Sequence, residues 1–214
     1  MRTAPGAPSH PAAGTVRDLG LVSYADGLRI QREHFEQRYR GEIPDTLLLC
    51  EHPPVYTLGT NADARDVFDA QGAEVVRTDR GGEATWHGPG QVVGYVICDL
   101  EARGRDVHEF CCDLEEIMLR ALKDFGLAGR RIDGLTGVWL GEEKVGALGV
   151  RVRRWITTHG FALNVSCDLR WFDTVVPCGL VGRRVTNMER ALGRPLDQEP
   201  VKESCAAHFQ EVFA

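Results

Sequence analysis

The residue in this sequence best suited to making and breaking covalent bonds is Cys178, which stands between Pro177 and Gly179 in VVPCGL. Proline fixes the approach and glycine leaves the sulfur uncrowded. A thiol with an ordinary pKa near ~8.5 is mostly protonated at neutral pH, so a nucleophilic role needs a cation or a base beside it. Lys144, heading the apolar run KVGALGVRV, is the natural candidate, and His87 and His159 compete with it. Taken alone, Cys178 also fits an inert, half-buried thiol, the reading given to Cys50, Cys98, Cys111, Cys112, Cys167 and Cys205.

A second concentration of chemistry lies in RGGEATWHGPGQVVGY, from Arg80 to Tyr95. Gly81, Gly82, Gly88 and Gly90 let backbone come close to a ligand, Arg80 suits a carboxylate or phosphate, and His87 suits hydrogen bonding or proton transfer. The spacing is neither a phosphate-cradling GxxxxGK[ST] loop nor a GxGxxG dinucleotide turn. By itself the segment reads as a ligand loop of unspecified chemistry, or as a plain hairpin. In HGFALNV, His159 and Asn164 are polar residues bracketing an apolar stretch, where a lone histidine is more often hydrogen-bonded structure than catalyst. His108 with Cys111 and Cys112 lacks the second cluster that a zinc site requires, so no metal is expected.

These residues need a scaffold. Residues 25–40, with Leu28, Phe35 and Tyr39 spaced among charges, predict an amphipathic helix, and 46–50 (TLLLC) a buried strand. The clearest helix is 107–125: Asp106 and Glu109 make a capping-box-like start, and Gly126 ends it. Strands are expected at 92–98, 137–140, 144–152 and 156–165, the last two as an antiparallel pair turning at Arg153, Arg154 and Trp155. A final helix is expected at 201–213. Grouped strands and few helices predict an α+β fold with a mixed β-sheet flanked by helices.

The chain has 214 residues, with 25 Lys and Arg against 31 Asp and Glu, a formal charge of −6. That balance disfavours nucleic acid as a partner. No apolar run approaches the ~18 residues of a membrane span, so no membrane association is expected. Residues 1–16, with Pro5, Pro8 and Pro11, read as a disordered tail without the apolar stretch of a signal peptide, and 17–214 as a single domain. Seven cysteines, an odd number without a CxxC, suit a reducing cytoplasm. Three arginine groups break the acidic surface: Arg130 with Arg131, Arg151 with Arg153 and Arg154, and Arg183 with Arg184.

Taken together, RGGxxTWHGPGQxxxY, KVGALGV followed by THGFALNV, and VPCGL, with EHPPVYTLGT upstream, resemble the lipoyl(octanoyl) transferases, in the same order and from Leu19 to the C-terminus. Trp86 occupies a position where aromatic residues vary, and Leu148 one where isoleucine is common. The resemblance implies the catalytic-domain fold shared by biotin and lipoate protein ligases. It also implies a reaction: an octanoyl group passes from octanoyl-acyl carrier protein to a lysine of an apo lipoyl domain or the glycine-cleavage H protein. By motif position Cys178 becomes the acyl-thioester nucleophile and Lys144 the residue that lowers its pKa. Substrate-binding positions carry over to Arg80, Gly81, Gly82, Glu83, Ala84, Thr85, Trp86 and His87, to Ala147, Leu148 and Gly149, and to Gly160, Phe161 and Ala162. The expected protein is a cytoplasmic monomer without a cofactor, and one arginine group, Arg183 with Arg184 first, is expected to dock the acidic carrier. An ATP-dependent lipoate–protein ligase, a cysteine thioesterase and a non-catalytic carrier-binding module are the alternatives.

Overall fold

The structure, a computed structural model, describes residues 14–175 and 184–214. In chain order it runs β1 (Thr15–Leu21), α1 (Tyr24–Tyr39), β2 (Thr46–Glu51), β3 (Val55–Leu58), β4 (Glu74–Arg77), β5 (Ala84–His87) and β6 (Gln91–Ile97). There follow α2 (Val107–Asp124), β7 (Gly129–Ile132), β8 (Leu135–Leu140), β9 (Glu143–Arg153), β10 (Ile156–Asn164), α3 (Met188–Leu192) and α4 (Gln198–Val212). The main sheet has the order β1-β2-β6-β10-β9-β8-β7, and β4-β3-β5 form a smaller one. The β1–β2 and β3–β4 pairs are parallel and the other pairs antiparallel, so the architecture is the expected mixed-sheet α+β.

The all-apolar TLLLC segment is covered on both faces of the main sheet, as a strand without polar alternation must be. Leu47 and Leu49 join Val92, Val96 and Leu163 in the core beneath α2 and α4. Leu48 and Cys50 point the other way, with Val93, Tyr95 and Ala162, toward Phe35 of α1. Helix α2 starts where its cap says: the Asp106 carboxylate accepts from the N–H groups of His108 and Glu109. Its apolar stripe, including Phe110, Leu114, Ile117 and Met118, is buried.

Several boundaries differ from expectation. Thr15 and Val16, assigned to the tail, belong to β1, which runs beside Thr46 and Leu47. Residues 84–87, read as part of a loop, form β5, because Thr85 and Trp86 pair with Thr57 and Tyr56. Helix α4 begins at Gln198, three residues early, since Pro200 in the first turn gives up only an N–H that has no partner there. The β9–β10 hairpin is as expected, with Ile156 opposite Arg153. Its two turn residues, Arg154 and Trp155, both have positive φ, the geometry that matches strand twist in a two-residue hairpin.

Candidate functional site

On the sheet face shared with α1, one polar cross-strand pair is followed by two rows of very small residues. Asn164 lies opposite Gln91, Ala162 between Val93 and Ala147, and Gly160 between Tyr95 and Gly149. Four small residues in two adjacent rows leave a trough where larger side chains would fill the space. The loop between β4 and β5 lies across it, tied to the sheet by the Gly81 N–H donating to the Val150 carbonyl (2.9 Å). The result is a cavity of about 440 Å³, predominantly apolar, within the range of small-ligand sites.

Lys144 lines this cavity with Thr136, Trp139 and Val185. Its Nζ sits 5.2 Å from the centre of the Trp139 ring, and its backbone is fixed on both sides. The Lys144 N–H donates to the Arg184 carbonyl (2.9 Å), and the Lys144 carbonyl accepts from the Thr186 N–H (2.9 Å). Space for the lysine stem comes from Gly137, whose φ of +110° excludes most residues; a Cβ there would lie 2.7 Å from Lys144 Cε and 2.5 Å from the Gly146 carbonyl oxygen. The buried carboxylate of Glu115 accepts from the Gly137 N–H (2.8 Å) and from Arg131 (2.9 Å), anchoring β8 to α2. Neither Gly137 nor Glu115 stands out in the sequence, although a carboxylate on the apolar stripe of α2 was a readable signal.

His87 and His159 are held neutral. Burial pushes His87 down to about 3, with His52 and Arg80 adding to the effect. His159 is pushed to about 3 as well, by burial and then by Arg80 and Arg151, and it hydrogen-bonds through Nε2 to Asp79 (2.8 Å). A neutral imidazole offers no charge to stabilise a thiolate, which leaves Lys144 as the cation among the three candidates. Arg80 is buried too, but its guanidinium donates to the Thr57 carbonyl and hydroxyl and to the Gly81 carbonyl, so it shapes the loop as well as lining the cavity.

Most residues expected to bind substrate do meet here. Arg80, Gly81, Gly82, Glu83, Ala84, Thr85 and His87 line the cavity, as do Ala147, Leu148, Gly149, Gly160, Phe161 and Ala162. Trp86 does not: β-strand alternation turns it away, and it is fully buried against Trp171 (ring centres 5.6 Å apart) and Phe172. Cys178 lies outside the described residues, as does Arg183. Of the other cysteines, Cys111 is pushed up to about 11 by burial, and Cys167 and Cys205 to about 12; Cys50 and Cys98 are pushed higher still by the same cause. Those five thiols stay protonated and unreactive near neutral pH. Among the described residues no group of three or more His, Cys, Asp or Glu is placed to hold a metal ion.

Comparison with known proteins gives consistent results. A family model described as the lipoyl protein ligase A/B catalytic domain matches residues 23–210. An octanoyltransferase of Rubrobacter xylanophilus is 50% identical over 211 residues, covering 94% of this chain and 95% of its own. One from Geobacter metallireducens is 45% identical over 194 residues, covering 91% of each. Among solved structures, an archaeal lipoylation system from Thermoplasma acidophilum, a bipartite lipoate protein ligase and its E2 lipoyl domain, matches with a TM-score of 0.72 at 17% identity. That match covers 95% of this chain and 84% of the other, and shows the shared fold.

Proposed function

We propose, for a chain that belongs to the octanoyltransferase family, that its transfer of an octanoyl group runs through Cys178 as acyl carrier and Lys144 as its activator. The observation that carries this assignment is the position of Lys144. The lysine opens onto the trough whose floor of small residues suits an unbranched acyl chain, while His87 and His159 are kept neutral. The fixed segment Arg184–Thr186, six residues beyond Cys178, is hydrogen-bonded to the Lys144 backbone, which supports bringing thiol and ammonium together.

The donor is octanoyl-acyl carrier protein and the acceptor a lysine of an apo lipoyl domain or H protein. In the first half-reaction the Cys178 thiolate attacks the thioester carbonyl carbon. A new C–S bond forms, the bond to the carrier sulfur breaks, and the carrier thiolate leaves and takes up a proton. In the second half-reaction the neutral acceptor amine attacks the enzyme thioester, the amide forms, Cys178 departs as thiolate and the amine releases its proton. Exchange of one thioester for another costs little, and the amide is the more stable product. Lys144 stabilises the thiolate as it forms in each direction and receives or returns the proton. The acyl chain lies over Ala147, Gly149, Gly160 and Ala162, with the stretch from Arg80 to Thr85, together with His87, above. A reducing cytoplasm suits a protein whose six described cysteines are all free.

Reconstitution without nucleotide tests the proposal. Octanoyl-acyl carrier protein, an apo lipoyl domain and this protein are mixed and read by intact mass. Octanoylated lipoyl domain is expected; free octanoate alone would indicate a thioesterase, and dependence on ATP a ligase.

A further inference from the structure

Asn164 and Gln91 line the cavity, are almost wholly buried, and are joined by a string of hydrogen bonds whose direction is determined at one end. Asn164 Nδ2 lies 3.0 Å from the Thr186 carbonyl oxygen, an acceptor only, so the amide nitrogen must face it and Oδ1 must face Gln91. Gln91 Nε2 then donates to Asn164 Oδ1 (2.8 Å), with the Trp86 carbonyl 3.5 Å away on the same side. That leaves Gln91 Oε1 as the acceptor for His87 Nδ1 at 2.7 Å. The imidazole is therefore the Nδ1–H tautomer, with the lone pair on Nε2. At the other end, Thr186, whose carbonyl orients Asn164, gives its own N–H to the Lys144 carbonyl (2.9 Å). Neither amide can flip alone, because either flip would set acceptor against acceptor or donor against donor in a buried site.

Building on the Cys178–Lys144 reading above, we propose that Gln91 and Asn164 are positioning residues for octanoyl transfer. The pair locks the β9 strand that carries Lys144, the chain that returns after the Cys178 segment, and the β5 strand that ends at His87 into one register. Through that register it sets how effectively Lys144 lowers the thiol pKa, and it fixes which nitrogen His87 turns away from Gln91. Asn164 acts through Thr186 and Gln91 through Asn164 and His87; neither is asked to exchange a proton.

Asn164→Asp keeps the shape but replaces the donor to Thr186 with a carboxylate oxygen, and Gln91→Leu keeps the bulk while cutting the string at its middle. In each, iodoacetamide alkylation of Cys178 is followed against pH by mass mapping, and the His87 tautomer is read from imidazole ¹⁵N shifts. Lys144→Ala serves as the reference, and Tm is measured for all four proteins. The expected result is an alkylation midpoint displaced upward in the same direction as in Lys144→Ala. Transfer kcat should fall about tenfold or more while the KM for donor moves much less, as when an interaction specific to the transition state is lost. Gln91→Leu should also release the His87 tautomer. A lower Tm with an unmoved alkylation midpoint and an unchanged tautomer would reduce the pair to structural support and overturn the positioning role alone. An unmoved midpoint in Lys144→Ala would remove the dyad reading and this inference with it. The parent protein gives a test that needs no variant to fold: a His87 Nε2–H tautomer in its ¹⁵N spectrum contradicts the string.

Discussion

A lysine can assist a cysteine by its charge or by its exchangeable proton, and substitution separates the two. Lys144→Ala removes both. The Cys178 thiol should then drift toward ~8.5, making acylation slow near neutrality and partly recovered in alkali. Lys144→Arg keeps the charge in a group that does not deprotonate, so it should form more acyl-enzyme than Lys144→Ala yet still pass the octanoyl group poorly to the acceptor amine. Enzyme mixed with donor alone should gain one octanoyl unit, on Cys178, and Cys178→Ala should gain none. The cysteines that burial holds protonated should stay unlabelled, because near neutral pH they lack the thiolate that attacks. An unchanged iodoacetamide–pH profile in Lys144→Ala would show that something else activates the sulfur. With His87 and His159 both kept neutral, either imidazole could take that place only as a base and not as a charge.

At the level of elements, the cavity exists because β9 and β10 carry small residues in matching rows, and that makes chain length adjustable. Ala147 pairs with Ala162 in the row next to that of Gly149 and Gly160. Ala147→Leu adds three carbons to the trough floor, so octanoyl transfer should drop while butanoyl or hexanoyl transfer is spared, measured as the ratio of kcat/KM for the two donors. A uniform fall across chain lengths would mean that the acyl chain runs elsewhere. Gly137→Ala should act through the neighbouring strand β8: with φ at +110° and two contacts inside 3.0 Å, it forces Lys144 or β9 to move. A stability loss of about 1–3 kcal/mol is expected, with acyl-enzyme formation falling further than Tm alone explains. Much of this architecture was legible. Helix α2 announced itself through its cap and 3.6-residue stripe, and the β9–β10 hairpin through two apolar runs with a short polar join. The smaller sheet was harder to read, since β4 is four residues long and largely exposed and β5 is written in glycine-flanked residues that read as loop. Site residues recognised as a motif fell almost entirely on one cavity, but the motif could not say that alternation in β5 would turn Trp86 into the core. Gly137 and Glu115 escaped notice because their roles are set by what approaches them in space.

For the molecule as a whole, two charge distributions matter: the surface that meets a carrier and the buried groups that set acid stability. Among the arginine groups, Arg131 is occupied by Glu115 and Glu116, Arg130 by Glu142, and Arg151 by Asp79, while Arg153 and Arg154 lie over the Phe35 and Tyr39 rings. Arg184 is exposed, and its carbonyl is bonded to Lys144. Charge reversal at Arg183 and Arg184 together should therefore raise the apparent KM for carrier-bound donor more than for a small octanoyl thioester. That difference should fade with salt, as steering does beyond a Debye length of about 8 Å; equal effects on both donors would exclude docking there. The buried histidines predict the acid limit of the fold. Imidazoles with an unfolded pKa near ~6.5 are pushed to about 3 in His87 and His159, and burial lowers His52 in the same direction. Between those values the unfolded chain binds protons that the folded chain refuses, so stability rises with pH across the interval. Their contribution is complete above about pH 6.5 and is lost progressively as pH falls toward 3. From roughly pH 6.5 to 5 most carboxylates are still ionised in both states, so the slope in that window belongs to the histidines. Urea midpoints measured in half-unit steps should fall steadily through that window. His159→Asn, which keeps a side chain able to donate toward Asp79 but cannot titrate, should flatten the slope by roughly one proton's worth even if its absolute stability is lower. A parent midpoint constant from pH 7 to 5 would mean that these imidazoles take up protons in the folded state as readily as in the unfolded one.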